Sequence, residues 1–176
     1  MKKFIALLLP IVVLSCASIK TSFDYDKQAD FGKYKSYRFS EETLNMPIQQ
    51  LNRDRIIAAV EKEMTAKNFT KSETSDLILD VRIKGEEVQT ATATTSGGYG
   101  GYGRWGYGGG FATTTVNYDK YVEGTLFVTM IDNSTEKIIW QGTGTKTLDE
   151  SASAGKREQN INYAVQQIFT NYPPVK

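Results

Sequence analysis

The sequence contains no histidine and only one cysteine, Cys16, among its 176 residues. Without histidine, the chain lacks the side chain that most often acts as a general base and most often binds a metal. With a single cysteine it cannot form an internal disulfide, so core packing alone must hold the folded domain together. The 21 basic residues nearly balance the 20 acidic ones, and this near-neutral, interspersed charge does not favour nucleic-acid binding.

The chain also lacks an apolar run long enough to cross a membrane. Residues 4–14 are apolar, interrupted only by Pro10, and follow the basic residues Lys2 and Lys3. Eleven residues match the core of a signal peptide, whereas a membrane-spanning helix needs about 20. We therefore expect a processed leader at this end of the sequence.

The residues that close this run predict how the leader is processed. The small residue Ser15 directly precedes Cys16, and Val13 and Leu14 precede Ser15. This arrangement resembles the bacterial lipobox. We expect residues 1–15 to be a lipoprotein signal peptide, and Cys16 to become an acylated first residue held stably by two or three chains. Since Ala17 and not aspartate follows, we expect anchoring in outer-membrane lipid, facing the periplasm. The alternative is an ordinary signal peptide that precedes a structural cysteine.

Removal of residues 1–15 would leave 161 residues, with 19 basic and 20 acidic side chains. That length suits one domain with a substantial core. We assign residues 16–22 to the lipidated cysteine and a short tether, and residues 23–176 to a single domain.

Hydrophobic periodicity predicts the main elements of that domain. Apolar residues recur at helical spacing over residues 52–67, and again in one stripe over residues 161–172. Residues 36–39 and 77–84 alternate between apolar and polar side chains, as half-buried strands do. Asn68 suits a left-handed residue that caps the first helix.

The remaining segments complete a predicted fold class. The threonine-rich residues 90–95 and 113–116 predict the two arms of a long hairpin, and residues 138–148 predict the last strand. Residues 41–47 are predicted as a loop, and residues 151–155 as a linker of small residues. The order strand-helix-strand-strand-strand-helix predicts an α+β fold, with two helices on one face of a mainly antiparallel sheet.

Residues 96–111, between the two hairpin arms, hold nine of the fifteen glycines. The ordering entropy of glycine favours a flexible loop whose aromatic rings pack loosely. Alternatively, the rings form an adaptable surface that contacts glycan, lipid headgroups or a partner protein. For that second interpretation the contact residues would be Tyr99, Tyr102, Trp105 and Tyr107.

Two motifs in the sequence have enzymatic associations. The glycine-rich loop matches G-x-G-x-x-G, but a strand follows it, whereas a dinucleotide site needs a helix there. The segment from Ser153 to Lys156 matches S-x-x-K, yet the S-D-N and K-T-G partners of that motif are absent. We therefore predict no cofactor and no catalytic residue.

Two groups of acidic residues could in principle form a metal site or a catalytic pair. Asp24, Asp26 and Asp30 could gather around calcium, but aspartates in turns more often accept hydrogen bonds from nearby backbone amides. Glu86 and Glu87 are neighbours on a strand and face opposite sides, so they cannot act as a paired acid and base. We predict no metal site.

Several segments resemble a family of bacterial envelope lipoproteins, catalogued as domain of unknown function 4136. The segments are Asp24-Tyr25-Asp26, Asp30-Phe31 with Tyr34, Lys67-Asn68-Phe69, Gly124-Thr125-Leu126, Ile139-Trp140-Gln141-Gly142 and the closing residues 161–174. The resemblance covers nearly the whole chain after the signal peptide, and departs from the family at Asn68, where glycine is expected. It implies the envelope location and the fold, and brings no catalytic residues with it.

These observations favour a non-enzymatic envelope lipoprotein that binds or scaffolds another cell-envelope protein or glycan. The alternative is a carboxylate-dependent hydrolase that acts on envelope glycan or peptide. A deep pocket with two or more convergent carboxylates would favour the hydrolase. A sheet with an open face and no such pocket would favour the binding protein.

Overall fold

The computed structural model describes residues 19–97, 112–149 and 151–174. The elements are β1 (Lys20–Tyr25), β2 (Ser36–Phe39), α1 (Glu41–Leu44), α2 (Gln50–Ala66), β3 (Thr70–Lys71), β4 (Leu77–Gly97), β5 (Ala112–Asp132), β6 (Ile138–Thr147) and α3 (Ala154–Phe169), with a short 3₁₀ turn at Phe31–Lys33. Within these residues, no helix is long and apolar enough to span a membrane.

The described strands form one sheet in the order β1-β6-β5-β4-β2-β3. β1, β6, β5 and β4 pair antiparallel, whereas β2 pairs parallel with both β3 and β4. The prediction of a mainly antiparallel sheet is therefore wrong, because the sheet is mixed, although the general α+β arrangement holds. The helical segment between β2 and β4 is the physical reason, since such a crossover returns the chain in the same direction.

The predicted order of elements was also incomplete. It omitted β1 and β3, which are short, exposed edge strands, and it treated α1 as loop. The predicted linker at 151–155 extends two residues too far, because α3 begins at Ala154. Ser153 is its N-cap and accepts a hydrogen bond from the backbone N–H of Lys156.

The two long helices cover one face of the sheet. The predicted stripe of α3 is buried at Val165, Ile168 and Phe169, and α2 buries Ile56, Val60 and Met64. The predicted cap of α2 is confirmed: Asn68 has a φ of 64°, and the N–H of Phe69 donates to the Met64 carbonyl at 3.0 Å. These helices pack on the alternating side chains Leu77, Leu79 and Val81 of β4, all fully buried.

The centre of the core is the fully buried ring of Trp140 on β6. It contacts the ring of Phe169, with centroids 5.9 Å apart, and that of Tyr172 at 5.3 Å. A Cβ atom at Gly142 would overlap both the Trp140 ring and Ile168. Glycine at that position therefore lets α3 approach the sheet closely.

The long hairpin predicted from the threonine runs is confirmed. β4 and β5 pair without a shift from Leu77 opposite Asp132 to Gly97 opposite Ala112. β6 accompanies β5 only as far as Thr147, opposite Glu123. Beyond that point the two strands continue alone as residues 87–97 and 112–122, which we call the ribbon. Eleven residues per strand extend about 35 Å.

Candidate functional site

The residues predicted to carry function lie outside the described part of the chain. These are Cys16 and the loop residues Tyr99, Tyr102, Trp105 and Tyr107. The structure does describe where both segments join the fold. Lys20, the first residue of β1, lies opposite Thr145 near the end of β6, and the ribbon leaves the sheet at that same end. The chain that follows Cys16 therefore enters the fold beside the base of the ribbon.

The sheet face turned away from α2 and α3 is the broadest candidate for binding, and we call it the open face. Its central residues are Asp80, Arg82 and Lys84 of β4, Phe127, Thr129 and Ile131 of β5, and Ile138 and Gln141 of β6, which line a shallow depression of about 480 Å³. The side chains of Arg82 and Lys84 are 65% and 68% exposed. The face thus offers two cations, amide and hydroxyl groups, and an aromatic ring.

Side-chain hydrogen bonds and an ion pair order the open face. The Nε2 of Gln141 donates to Oγ1 of Thr129 at 2.9 Å, and Arg82 pairs with Asp80 at 2.7 Å. Asp80 also accepts from the hydroxyl of Ser40 at 2.8 Å, which holds its carboxylate in place. A partner would therefore meet a surface whose polar groups are already positioned.

A second candidate is a cavity of about 370 Å³ between α2, α3 and the sheet. Its apolar lining includes Ile48, Ile56, Ile83, Leu148 and Ile161, and its polar lining consists of Asn52, Lys146, Thr147, Asp149, Arg157 and Asn160. Asp149 is the only carboxylate among these residues. Its hydrogen bond from the Ser151 hydroxyl lowers its pKa and keeps it ionised. The described residues of this lining therefore provide one carboxylate, whereas a hydrolase of the predicted kind needs two that converge.

The most perturbed carboxylate is Asp132, at the turn between β5 and β6. Its side chain is 5% exposed and accepts from Ser134 Oγ at 2.6 Å, Lys33 Nζ at 2.9 Å and Tyr34 Oη at 2.8 Å. These bonds, led by that from Ser134, hold the pKa of Asp132 far below its ordinary value. Because its oxygens accept from the turn and from the segment before β2, this carboxylate joins two parts of the fold.

The acidic residues weighed as a calcium site make local bonds instead. Asp24 accepts from the N–H of Tyr25, Asp26 from that of Gln28, and Asp30 from that of Gly32. In the described residues, no group of three or more acidic, cysteine or histidine side chains could hold a metal. These bonds fit the interpretation of Asp26 and Asp30 as turn residues, whereas Asp24 lies within β1 opposite Gln141.

Sequence reasoning missed one acidic pair that the pairing of strands creates. Glu86 lies directly opposite Glu123 at the base of the ribbon. Like charges opposite one another repel, and Lys84 partly offsets them, with its Nζ 3.4 Å from a Glu86 oxygen. Only the hairpin register could have revealed this pair, since 37 positions separate the two residues in the sequence.

Comparisons with known proteins give a family and a fold. The model of the family described as a domain of unknown function, DUF4136, matches residues 21–174. A PDZ domain protein from Parabacteroides distasonis is similar in structure, with 18% identity and a TM-score of 0.52 over 90% of this chain and 36% of that one. At that identity the likeness shows a shared fold, and this chain spans little more than a third of that protein.

PelC from Paraburkholderia phytofirmans, solved as a dodecamer, is also among the similar structures. It has 10% identity and a TM-score of 0.43 over 87% of this chain and 96% of that one. No curated protein matches the chain.

Proposed function

We propose that this chain, which belongs to the DUF4136 family, is a non-enzymatic lipoprotein of the bacterial cell envelope that binds or scaffolds another envelope component. Acyl chains on Cys16 would anchor it in the outer membrane, and the domain would face the periplasm. The partner would be an envelope protein or glycan.

The open face is the observation that carries the proposed binding role. Its Arg82 and Lys84 are largely exposed, and Ile138, which lines the same depression, is 57% exposed. Aromatic, apolar and cationic groups within one surface suit contact with a protein or a glycan. The rings of Tyr99, Tyr102, Trp105 and Tyr107 would extend such contacts to glycan or lipid headgroups.

The point at which the chain enters the fold supports the proposed anchoring. Four residue steps separate Cys16 from Lys20, which limits that tether to about 14 Å even when fully extended. Because Lys20 lies beside the base of the ribbon, an acylated Cys16 would hold that end of the sheet close to the bilayer. The ribbon would then extend along or near the membrane surface.

The hydrolase alternative gains no support from the cavity between the helices and the sheet. Retaining and inverting glycoside hydrolases both use two carboxylates on either side of the bond they cleave. Among the described residues that line this cavity, Asp149 is the one carboxylate. We therefore propose a binding role in place of hydrolysis.

The Cys16→Ser variant tests the anchor. We expect the wild-type protein in the outer-membrane fraction, with an intact mass that corresponds to a chain beginning at an acylated Cys16. The variant should be soluble or unprocessed, because a thioether requires sulfur. Ser15→Ala is the matched control, since it keeps a small residue before the cysteine and should be processed normally. An unacylated Cys16 in the mature wild-type protein would contradict the proposal.

A further inference from the structure

Two hydrogen bonds near the start of β4 show in which direction its backbone groups point. The Leu79 carbonyl accepts from the N–H of Ser40 at 2.9 Å, and the N–H of Val81 donates to Oγ1 of Thr43 at 2.7 Å. Both groups point away from β5, towards the other edge of the strand. In a regular strand the backbone groups alternate between the two edges.

The alternation continues into the ribbon because the pairing of β4 with β5 has no shift. The N–H and C=O groups of Gln89, Ala91, Ala93 and Thr95 therefore point away from β5. On this edge, β2 pairs with β4 only from Leu77 to Leu79. In the described residues, no strand pairs with the same edge along the ribbon.

This edge lacks the features that usually prevent a strand from pairing with another chain. Natural edge strands are protected by charged residues, proline or bulges. Residues 88–97 contain no charged residue and no proline, and their pairing with β5 has no bulge. Their side chains are exposed from Gln89 to Ser96. A two-stranded ribbon of this kind is marginally stable by itself.

The sequence of the edge identifies the strand that fits it. Thr90-Ala91-Thr92-Ala93-Thr94 reads the same in both directions around Thr92. We propose that this edge pairs antiparallel with the same edge of a second copy of the chain, about a twofold axis at Thr92. The two ribbons would then form one four-stranded sheet between two copies.

The register required by this palindrome agrees with the backbone directions. With the axis at Thr92, Ala91 lies opposite the partner's Ala93, and both residues have outward N–H and C=O groups. Thr92 lies opposite the partner's Thr92 in a non-hydrogen-bonded pair, where side chains approach most closely. Thr90 lies opposite the partner's Thr94. Every position in the palindrome thus meets an identical residue type.

Cross-strand hydroxyl pairs of this kind already occur within the sheet. The Oγ1 atoms of Thr125 and Thr145 lie 2.9 Å apart, and those of Thr95 and Thr114 lie 3.3 Å apart. Threonine pairs across strands are favourable. The proposed dimer would repeat this contact at each threonine of the palindrome.

The other edge of the ribbon fits a second copy less well. The N–H of Leu148 donates to the Val122 carbonyl at 2.8 Å and covers the start of the β5 edge. Asp119 and Lys120 follow on β5, and charged residues disfavour edge pairing. The β4 edge is therefore the one we assign to self-association, whether or not Cys16 is acylated.

Cysteine crosslinking tests both the partner and the register. In the full chain carrying Cys16→Ser, Thr92→Cys introduces the only thiol. Opposed residues in non-hydrogen-bonded pairs have Cα atoms about 4.5 Å apart, which is within the range of a disulfide. We expect mild oxidation to convert most of this variant into a disulfide-linked dimer.

Thr94→Cys in the same background is the matched control. It lies on the same face, but its opposite residue in the proposed register is the partner's Thr90, so Thr94→Cys alone should stay monomeric. A mixture of Thr90→Cys and Thr94→Cys should crosslink to each other. Equal crosslinking of Thr92→Cys and Thr94→Cys, or crosslinking of Thr92→Cys mainly to a different protein in cells, would overturn the proposal.

Sedimentation of the uncrosslinked chain provides an independent measurement. The wild type should show a concentration-dependent monomer-dimer equilibrium. Ala91→Pro removes an outward N–H in each copy, and therefore two hydrogen bonds of the dimer, so its dissociation constant should rise at least tenfold. Circular dichroism should show an unchanged thermal midpoint for Ala91→Pro. A wild type that stays monomeric at all accessible concentrations would refute self-association.

Discussion

The same two strands, β4 and β5, behave differently in the body of the sheet and in the ribbon. In the body, Leu77, Leu79 and Val81 are fully buried beneath the helices. In the ribbon, the described side chains of residues 89–96 are exposed, although the pairing between the strands continues without a shift. The ladder between β4 and β5 is thus shared, whereas the burial of side chains and the pairing of β2 and β6 with the outer edges of these strands are confined to the body.

This difference in burial indicates that the body stabilises the fold, whereas the ribbon is available for binding. Burial of apolar side chains is the dominant stabilising contribution in a domain, whereas a ladder between two strands contributes little net stability in water. The body should therefore determine the free energy of unfolding. The ribbon is free of packing constraints, and its exposed edge can contact a partner.

The largest expected effect comes from placing a charge in the body. Ile168→Asp puts an unpaired carboxylate where the side chain is 1% exposed. We expect the free energy of unfolding to fall by about 4 kcal/mol or more, measured by chemical denaturation. Leu51→Asp, at a position 59% exposed, is the control and should change stability by less than about 0.5 kcal/mol. If Ile168→Asp left the free energy of unfolding unchanged, the apolar stripe of α3 would not be what holds the body together.

A smaller effect is expected at the buried carboxylate of the body. Asp132→Asn removes the charge that accepts from Lys33 and Ser134, and should lower the free energy of unfolding by about 2 to 4 kcal/mol. Folding lowers the pKa of Asp132, so this carboxylate stabilises the fold at pH values above its pKa in the unfolded chain, about 3.9. The stabilisation is lost as the pH falls from that value towards the lower pKa of the folded state.

Denaturation at several pH values checks this assignment. The stability of the wild type should fall between about pH 5 and pH 2 more steeply than that of Asp132→Asn. Asp54→Asn, whose parent side chain is 55% exposed, should keep the wild-type dependence. Equal slopes for the wild type and Asp132→Asn would mean that Asp132 does not link the pH to folding.

The smallest effect is expected when the ribbon is removed. Val88 lies directly opposite Tyr121, and their backbone groups face each other, so an Asn-Gly turn can replace residues 89–120 and close a short hairpin. We expect the free energy of unfolding to change by less than about 1 kcal/mol, because the deleted described side chains are largely exposed. Binding to isolated peptidoglycan or outer-membrane lipid should fall if Tyr102, Trp105 and Tyr107 form a contact surface.

Two other outcomes of this deletion are informative. If the shortened chain unfolds, the ribbon is required for the fold and the contrast with the body is wrong. If it neither unfolds nor loses binding, the aromatic loop is not a binding surface. Replacing only residues 97–112 with the same turn, between the opposed residues Ser96 and Thr113, separates the loop from the arms and should also leave the fold intact.

Elements with a continuous pattern could be predicted from the sequence. The apolar stripe of α3, with Val165 and Ile168, and the alternation of β4 need only the period of the side chains. Asn68 was predictable because few residues adopt its left-handed conformation readily. The hairpin followed from two matching threonine runs.

The errors came from features that depend on partners distant in sequence. The parallel pairing of β2 with β4 depends on the crossover through α2, and β1 depends on the free edge of β6. The shape of the open face and the Glu86–Glu123 pair need the strand register. Neither the position of Lys20 beside the ribbon nor the outward direction of Ala91 can be read from local periodicity.

The burial of Trp140 gives the protein an internal fluorescence reporter. The chain has two tryptophans, and the other, Trp105, is removed when residues 89–120 are replaced by the turn. In that shortened chain all indole emission would come from Trp140, which is enclosed by Phe169 and Tyr172. Its spectrum would shift to longer wavelengths only when water reaches the ring. Unfolding of the body could then be followed optically with the purified protein, without any added dye.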